Sequence, residues 1–511
     1  MWIITAGNAI KKYQPTIKTG IMECAMNALI RNTINEAMGM KLNSDVIIGM
    51  EVHVQLDTKT KLFCGCATQG SDEPNTRTCV TCLGMPGSKP RLNKKAVEYA
   101  LKLALATNSK ISKELVFSRK SYFYPDMAKN FQISQYEIPL ATKGKIRLKN
   151  GKEIGLTRIH MEEDPAALVH IGSMQKSPYV LVDYNRSGNP LLEVVTEPEL
   201  ESAEEAREFM NQLITVLGYL GIFDEKKCII KADANVSVKE SGYVRSEIKN
   251  ITGFKEIERA LKYEIGRQRK ELSEGKKLKQ ETRAWDSDNG VTFSLRTKET
   301  EEDYGYILEP DLTLVEITEE FVSKIKKEMP ELAHEKIARF TEKHKLRKED
   351  AEIIAAEKEI AELFEKVAGH VNPELAAKWI RRELSRVLNY SKKTLGDVGD
   401  IETHLIDLLK SVEKKVITDA TAQKLMEKLV EKPFDVLKHI GEEGLAALSD
   451  KKEIEKYCKE AIAENPKAAE DYKKGEEKAL HFIIGQVMKK TKGKATPKEV
   501  NEILKRLIKL L

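Results

Sequence analysis

The sequence predicts an α+β protein whose C-terminal part is wholly helical. Three observations carry that prediction. Between about Val46 and Thr318, short runs rich in β-branched and aromatic residues recur between glycine and asparagine punctuation. A few stretches with apolar spacing near 3.6 interrupt them, which is the mixture expected of α+β rather than of regularly alternating βαβ units. From Glu319 onward the strand signal fades, and Lys/Glu-rich helical periodicity continues to the C-terminus. With 511 residues, 41% hydrophobic and 32% charged, the chain is long enough for two to four domains and richer in charge than an average globular protein. No apolar run approaches the roughly 20 residues that cross a bilayer.

In chain order, residues 1–45 read as an extension or a mis-assigned start, because Met22, Met26, Met38 and Met40 all offer later beginnings. They lack the compact apolar stretch and cleavage site of a signal peptide. The run V-I-I-G-M-E-V-H-V-Q-L at 46–56 is the first strand, followed by candidates at 154–161, 179–184, 191–196 and 234–238. Lys94–Thr107, Ser202–Tyr219 and Phe254–Leu272 read as helices, the second opening with S-A-E-E, a capping-box pattern. E-P-D-L at 309–312 marks the exit from this region. Asn389–Gly399 reads as a linker between a helical domain at about 319–395 and a helical tail at about 403–511. The stretch 466–511 holds twelve Lys/Arg against six Asp/Glu, although the whole chain is only +5.

Several patterns point to chemistry. Alternation puts Glu51 and His53 on the polar face of the first strand, roughly 7 Å apart at about 3.3 Å per residue. A carboxylate and an imidazole so placed can hold a metal or move a proton; a solvated strand face is the alternative. Cys64-Gly-Cys66, twelve residues, then Cys79-Val-Thr-Cys82 is a spacing for a closed four-thiolate zinc site, structural rather than catalytic. Acidic residues recur beside other strands: Glu162, Glu163 and Asp164 in H-M-E-E-D, Glu193, Asp233 in D-A-N-V-S-V, and Glu247 beside Lys249 in R-S-E-I-K-N. Carboxylates brought together from several strands suit Mg²⁺, which prefers oxygen ligands and retains waters and substrate phosphates. Arg119, Lys120 and Tyr122 in R-K-S-Y-F-Y-P-D could hold phosphate or a nucleotide ring, or could form a packed aromatic corner. Lys489, Lys490, Lys492 and Lys494 gather where Gly493 breaks a helix, and could follow an RNA backbone. There is no P-loop, no G-x-G-x-x-G after a strand and no G-x-S-x-G, which excludes the common nucleotide-binding and hydrolase signatures.

Taken together, these motifs resemble the B subunit of the tRNA-dependent Asp/Glu amidotransferases. The resemblance rests on I-G-M-E-V-H-V-Q-L, R-K-S-Y-F-Y-P-D, Q-I-S-Q-Y, H-M-E-E-D, D-Y-N-R-S-G-N-P-L-L-E-V-V-T-E-P-E, D-A-N-V-S-V and E-I-K-N-I. It extends into the tail through E-N-P-K-A-A-E-D-Y-K-K-G and G-Q-V-M-K-K-T-K-G-K-A, covering about 46–511. It implies a cradle-like catalytic α+β domain at 46–318, then a helical domain and a tRNA-contacting tail. It implies a cytoplasmic heterotrimer with an amidase A subunit that frees ammonia from glutamine, a small C subunit, and mischarged tRNA as substrate. The B subunit would use ATP and Mg²⁺ to phosphorylate the side-chain carboxylate of Asp-tRNA(Asn) or Glu-tRNA(Gln), and ammonia would displace the phosphate. Carried onto this sequence, the family's metal and kinase positions fall on Glu51, His53, Glu163, Glu193, Asp233 and Glu247, and its zinc ligands on Cys64, Cys66, Cys79 and Cys82.

One departure is P-A-A-L after the acidic run H-M-E-E-D, where the family commonly has A-G-K. The related archaeal E subunit carries an inserted domain, whereas here E-P-D-L-T-L-V runs directly into the helices. A different class of function, a non-catalytic zinc-stapled tRNA-binding scaffold, is the alternative.

Overall fold

The computed structural model describes residues 44–170, 177–297, 304–448 and 451–510. The 1–45 extension lies outside these residues except for Ser44 and Asp45, and so does Cys24. The first strand, β1 (Val46–Gln55), runs through the middle of a nine-stranded sheet. Its neighbours are β10 (Pro190–Thr196) and β11 (Ile230–Val238), both antiparallel to it. Beyond β10 lies β7 (Glu153–Glu163), and beyond β11 lies β12 (Ser246–Ile251). The strand at 281–286 pairs parallel with β12, and the remaining pairings in this sheet are antiparallel.

The alternation read from the sequence decides which face is which. Val46, Ile48, Met50, Val52 and Val54 are fully or almost fully buried on one face of β1, while Glu51 and His53 stay partly accessible on the other. Three helices supply buried side chains to the same core: α1 (Lys94–Ala106), α2 (Ala203–Leu220) and α3 (Phe254–Ser273). Each helix lies within about a residue of its sequence expectation. The Ser202 side chain caps α2 by accepting from Glu205 N at 3.1 Å, but the Glu205 carboxylate takes the N–H of Glu201 rather than that of Ser202. The reciprocal half of the capping box is therefore shifted by one residue.

From Glu319–Lys327 to Pro497–Leu510 the chain is helical. Two hydrophobic cores divide the described residues. The larger joins the sheet, its covering helices and the helices as far as Ile440. The smaller begins at Ile454 and ends at Ile508. The stretch 402–442 thus packs with the larger core, and the expected linker at 389–399 is itself helical at Ser385–Ser391 and Leu395–Val398, with Val398 buried in that core. A backbone-carbonyl bond from Thr418 Oγ1 to Gly493 O at 2.6 Å ties the two together. Among the described residues no helix is long and apolar enough to cross a membrane.

Ile48 is completely buried at the centre of this arrangement. Ile48→Ala should cost about 2–5 kcal/mol by lost burial and residual cavity, read as a lowered urea midpoint of the sheet domain. A loss below about 1 kcal/mol would contradict its place in the core.

Candidate functional site

Register assembles the site. Glu51 lies opposite Asp233 of β11, and His53 lies opposite Glu193 of β10. Glu193 in turn lies opposite His160 of β7. Because facing residues on antiparallel strands share a face, four segments spread over nearly two hundred residues place their polar side chains on one surface. Two residues on from His160, Glu162 completes the group.

The distances describe one tight charged cluster. His53 Nε2 lies 3.4 Å from Glu193 and 3.5 Å from Glu162. His160 Nε2 lies 3.3 Å from Glu193 and 3.7 Å from Glu162. Arg158 approaches Glu193 from the rim at 3.4 Å. Lys249 spans Asp233 at 3.4 Å and Glu247 at 3.1 Å, and Glu247 also accepts from the Thr282 hydroxyl at 3.1 Å. Burial disfavours the imidazolium of His53, but its hydrogen bond to Glu193 and the charge of Glu162 outweigh that and raise it to about 10. Burial likewise opposes protonation of His160, and Glu193 and Glu162 overcome it, raising it to about 9. Glu193 is the converse case: burial would raise it, and the two histidines hold it well below the ordinary range. For Glu51 the balance falls the other way: burial and then the Glu193 charge outweigh the lowering charge of His53 and push it up to about 8.

Two overlapping sets here could hold a cation. The ligand atoms of Glu51, His53 and Glu193 lie within 4.8 Å of one another, as do those of His160, Glu162 and Glu193. Each histidine must be neutral to act as a ligand, so a bound ion would take over the charge balance that the imidazolium protons now supply.

The predicted residues are not all at this cluster. Glu51, His53 and Glu193 meet, with Asp233 and Glu247 beside them through Lys249. Glu163, expected with them, is directed to the opposite side of β7, where it pairs with Lys129 at 2.6 Å and accepts from Ile133 N at 2.8 Å. The strict alternation of a strand explains this: only one of two successive glutamates can share a face with His160. The structure brings Glu162 to the histidines. His160 and Arg158 did not figure among the expected site residues, although period two in T-R-I-H-M-E would have placed Arg158, His160 and Glu162 together.

In the basic and aromatic stretch, Arg119 is committed to a bidentate pair with Glu309 at 2.8 and 2.9 Å and stacks over Phe131. Lys120 sits 4.7 Å over the Tyr304 ring, and Tyr122 packs edge-on against the same ring. Burial, followed by the charge of Asp126, raises the Tyr122 hydroxyl, and Glu162 adds to the effect. In the tail, Lys489 and Lys492 are exposed, Lys490 is tied to Glu464 at 2.6 Å, and Lys494 is half-buried.

The four cysteines come together as a second centre. Their sulfurs lie within 4.8 Å of one another, with Cys79 and Cys82 Sγ 4.0 Å apart. A tetrahedron with metal–sulfur bonds of about 2.3 Å has edges of about 3.8 Å, so the arrangement matches a closed tetrathiolate. The hydrogen bond with Cys64, a backbone N–H from Cys79 and the nearby Lys61 lower Cys82 to about 5, favouring its thiolate.

A raised carboxyl binds its proton more tightly in the folded chain, so its stabilising contribution is complete below about 4.5 and is lost as pH rises through about 8. In buffer without added divalent ions, Glu51→Gln should therefore lessen the fall in thermal stability across that window. Superimposable pH–stability curves for variant and parent would contradict the burial of an unneutralised carboxyl at Glu51.

Comparison with known proteins gives this geometry its context. Residues 46–323 match the family model described as the GatB/GatE catalytic domain, and residues 362–508 match the GatB domain model. The chain is 43% identical over 471 residues to a Carboxydothermus hydrogenoformans protein, covering 90% of this chain and 98% of that one. It is 44% identical over 477 residues to a Thermodesulfovibrio yellowstonii protein, covering 91% and 99%. A third relative, from Haloquadratum walsbyi, is 42% identical over 480 residues, covering 90% and 96%. All three are named as the B subunit of an aspartyl/glutamyl-tRNA(Asn/Gln) amidotransferase. With its catalytic-domain match spanning more than half its length and relatives aligned almost end to end, the chain belongs to the GatB family of amidotransferase B subunits.

Proposed function

We propose that this chain is the amidating kinase subunit of a complex that converts Asp-tRNA(Asn), Glu-tRNA(Gln) or both to Asn-tRNA or Gln-tRNA. The observation that carries this reading is the convergence of Glu51, His53, Glu162 and Glu193 from three separate strands at one partly accessible surface. The family and the names of the relatives support it.

The chemistry needs little from the protein beyond positioning and charge. A carboxylate is a poor electrophile; its oxygen attacks the γ-phosphorus of ATP, the bond to the bridging oxygen breaks, and ADP leaves. Ammonia then attacks the acyl carbon, phosphate departs and a proton is released, leaving an amide. No enzyme nucleophile takes part. Glu51, His53 and Glu193, with Glu162 and His160 adjoining, would hold Mg²⁺. When bound, that ion neutralises the charge on the phosphates. Asp233 and Glu247 fix Lys249 at the edge of the centre, where its ammonium can meet an anionic substrate. Lys120 and Tyr122, on the aromatic side, would contact the nucleotide, while Arg119 holds that segment to Glu309. Cys64, Cys66, Cys79 and Cys82 would hold a structural Zn²⁺. An amidase A subunit and a small C subunit would supply ammonia, and the exposed Lys489 and Lys492 would track the tRNA backbone.

In the complex assembled with its A and C partners, ADP should form with ammonia and Asp-tRNA(Asn) or Glu-tRNA(Gln), but not with uncharged tRNA. No ADP with any of them would favour the non-catalytic scaffold. Glu51→Ala and Asp233→Ala should abolish amide formation while tRNA affinity, measured by filter binding, stays within about threefold; normal product from either would remove these residues from the site. Cys79→Ser should bring zinc content, measured by atomic absorption, toward zero, and full zinc occupancy would contradict a four-thiolate site.

A further inference from the structure

Lys61 lies inside the cysteine lobe and is fully buried. Lysine is seldom buried without a counter-charge, because taking an ammonium out of water is costly unless an anion receives it. Here the ammonium donates to Cys82 Sγ at 3.7 Å and to the Tyr184 carbonyl at 3.3 Å. Among the described residues no carboxylate forms an ion pair with it, so the Cys82 sulfur is the group in contact that could carry the balancing charge. Its backbone is anchored in the same lobe: Lys61 N donates to Cys66 O at 2.9 Å, and Lys61 O accepts from the Asn93 side chain at 3.3 Å.

We propose that Lys61 is the built-in counter-cation of the four-cysteine site, set against Cys82 to offset one of the two excess negative charges of a zinc tetrathiolate and so to slow loss of the metal. This rests on the zinc reading above. Zinc with four thiolates carries a net charge of two minus, which favours proton uptake and attack by electrophiles at sulfur. Cys82 is the buried one of the four, where water offsets that charge least. A fixed ammonium against one sulfur reduces the net charge to one minus. The surroundings keep the ammonium from moving away. A Cβ placed on Gly188 would lie 3.5 Å from both Cys82 Cβ and Lys61 Cδ, so the chain at 184–188 closes over the pair. The Ser187 hydroxyl reaches Cys82 O at 3.3 Å, and Leu62 N reaches Gly188 O at 2.8 Å. The same segment continues into β10, so Lys61 links the cysteine lobe to the strand that carries Glu193.

The test follows zinc rather than catalysis. Transfer of zinc from the full chain to the chromogenic chelator 4-(2-pyridylazo)resorcinol is timed for the parent, Lys61→Met, Lys61→Arg and the exposed control Lys59→Met. Lys61→Met should release zinc about 10–100-fold faster, the range of effects seen for groups supporting metal ligands. Lys61→Arg should stay near the parent, and Lys59→Met should match it. In a Cys82→Ser background, where the paired thiolate is gone, adding Lys61→Met should accelerate release less than about twofold. Unchanged release from Lys61→Met, or an equal effect in both backgrounds, overturns the proposal. If Lys61→Met does not fold, Lys61→Arg must still fold and retain zinc; failure of both assigns Lys61 to packing and also overturns it. A parent chain without zinc refutes the four-thiolate reading itself, whereas zinc in the parent with unaltered release from the variant refutes only the role of Lys61.

Discussion

The antiparallel register of β1 with its two neighbours is the constraint on which the rest depends. It sets Glu51 against Asp233 and His53 against Glu193, with His160 one strand further on. A one-residue slip of β1 would turn Glu51 and His53 into the core and bring Val52 and Val54 out. The apolar face of β1 forbids that slip, because its valines, isoleucine and methionine are packed under three helices. The hydrophobic core therefore does more than stabilise the sheet: it fixes which charges confront one another. Those charges are stable together because imidazoles stand between carboxylates, and removing either kind would leave the other buried and unpaired.

Much of this was legible in the sequence, and the limits are instructive. Period-two alternation in V-I-I-G-M-E-V-H-V-Q-L gave the strand, its buried face and the Glu51/His53 pair. Helix signals at Ser202 and Phe254 gave the covering helices, and cysteine spacing gave a group of four whose sulfurs do meet. Period two joins Glu162, not Glu163, to His160, but spacing could not give what that pair faces. Only the pairing of β7 with β10, and of β10 with β1, sets it against Glu193 and His53. Nor can local sequence reveal partners that arrive from afar. Arg119 looked free to take phosphate, yet its fork is filled by Glu309, 190 residues away. Lys490 looked like one of four equivalent RNA-facing cations, yet Glu464 has claimed it. The packing of 402–442 with the larger core was equally invisible, because helix composition is the same on both sides of the linker.

The two centres share a piece of chain. From Asp183 to Thr196 the backbone passes over the cysteine lobe and then joins the sheet as β10. Disturbance of the lobe would be felt first at the start of the strand that bears Glu193. Glu163 lies on the far side of β7 from the histidines, held by Lys129, and a cavity runs past Lys129 toward Arg119 and Glu309. The sheet thus separates a charged face, where Glu162 meets His53 and His160, from a second polar region, where Glu163 meets Lys129.

Locating a bound divalent ion would show most directly whether strand register builds a metal centre. Crystals of the assembled complex soaked in Mn²⁺, an oxygen- and imidazole-binding substitute for Mg²⁺, would show it by anomalous diffraction. A peak is expected between Glu51, His53 and Glu193 on the polar face of β1. A well-occupied peak elsewhere with none at these three residues would contradict the claim that strand register builds the metal centre.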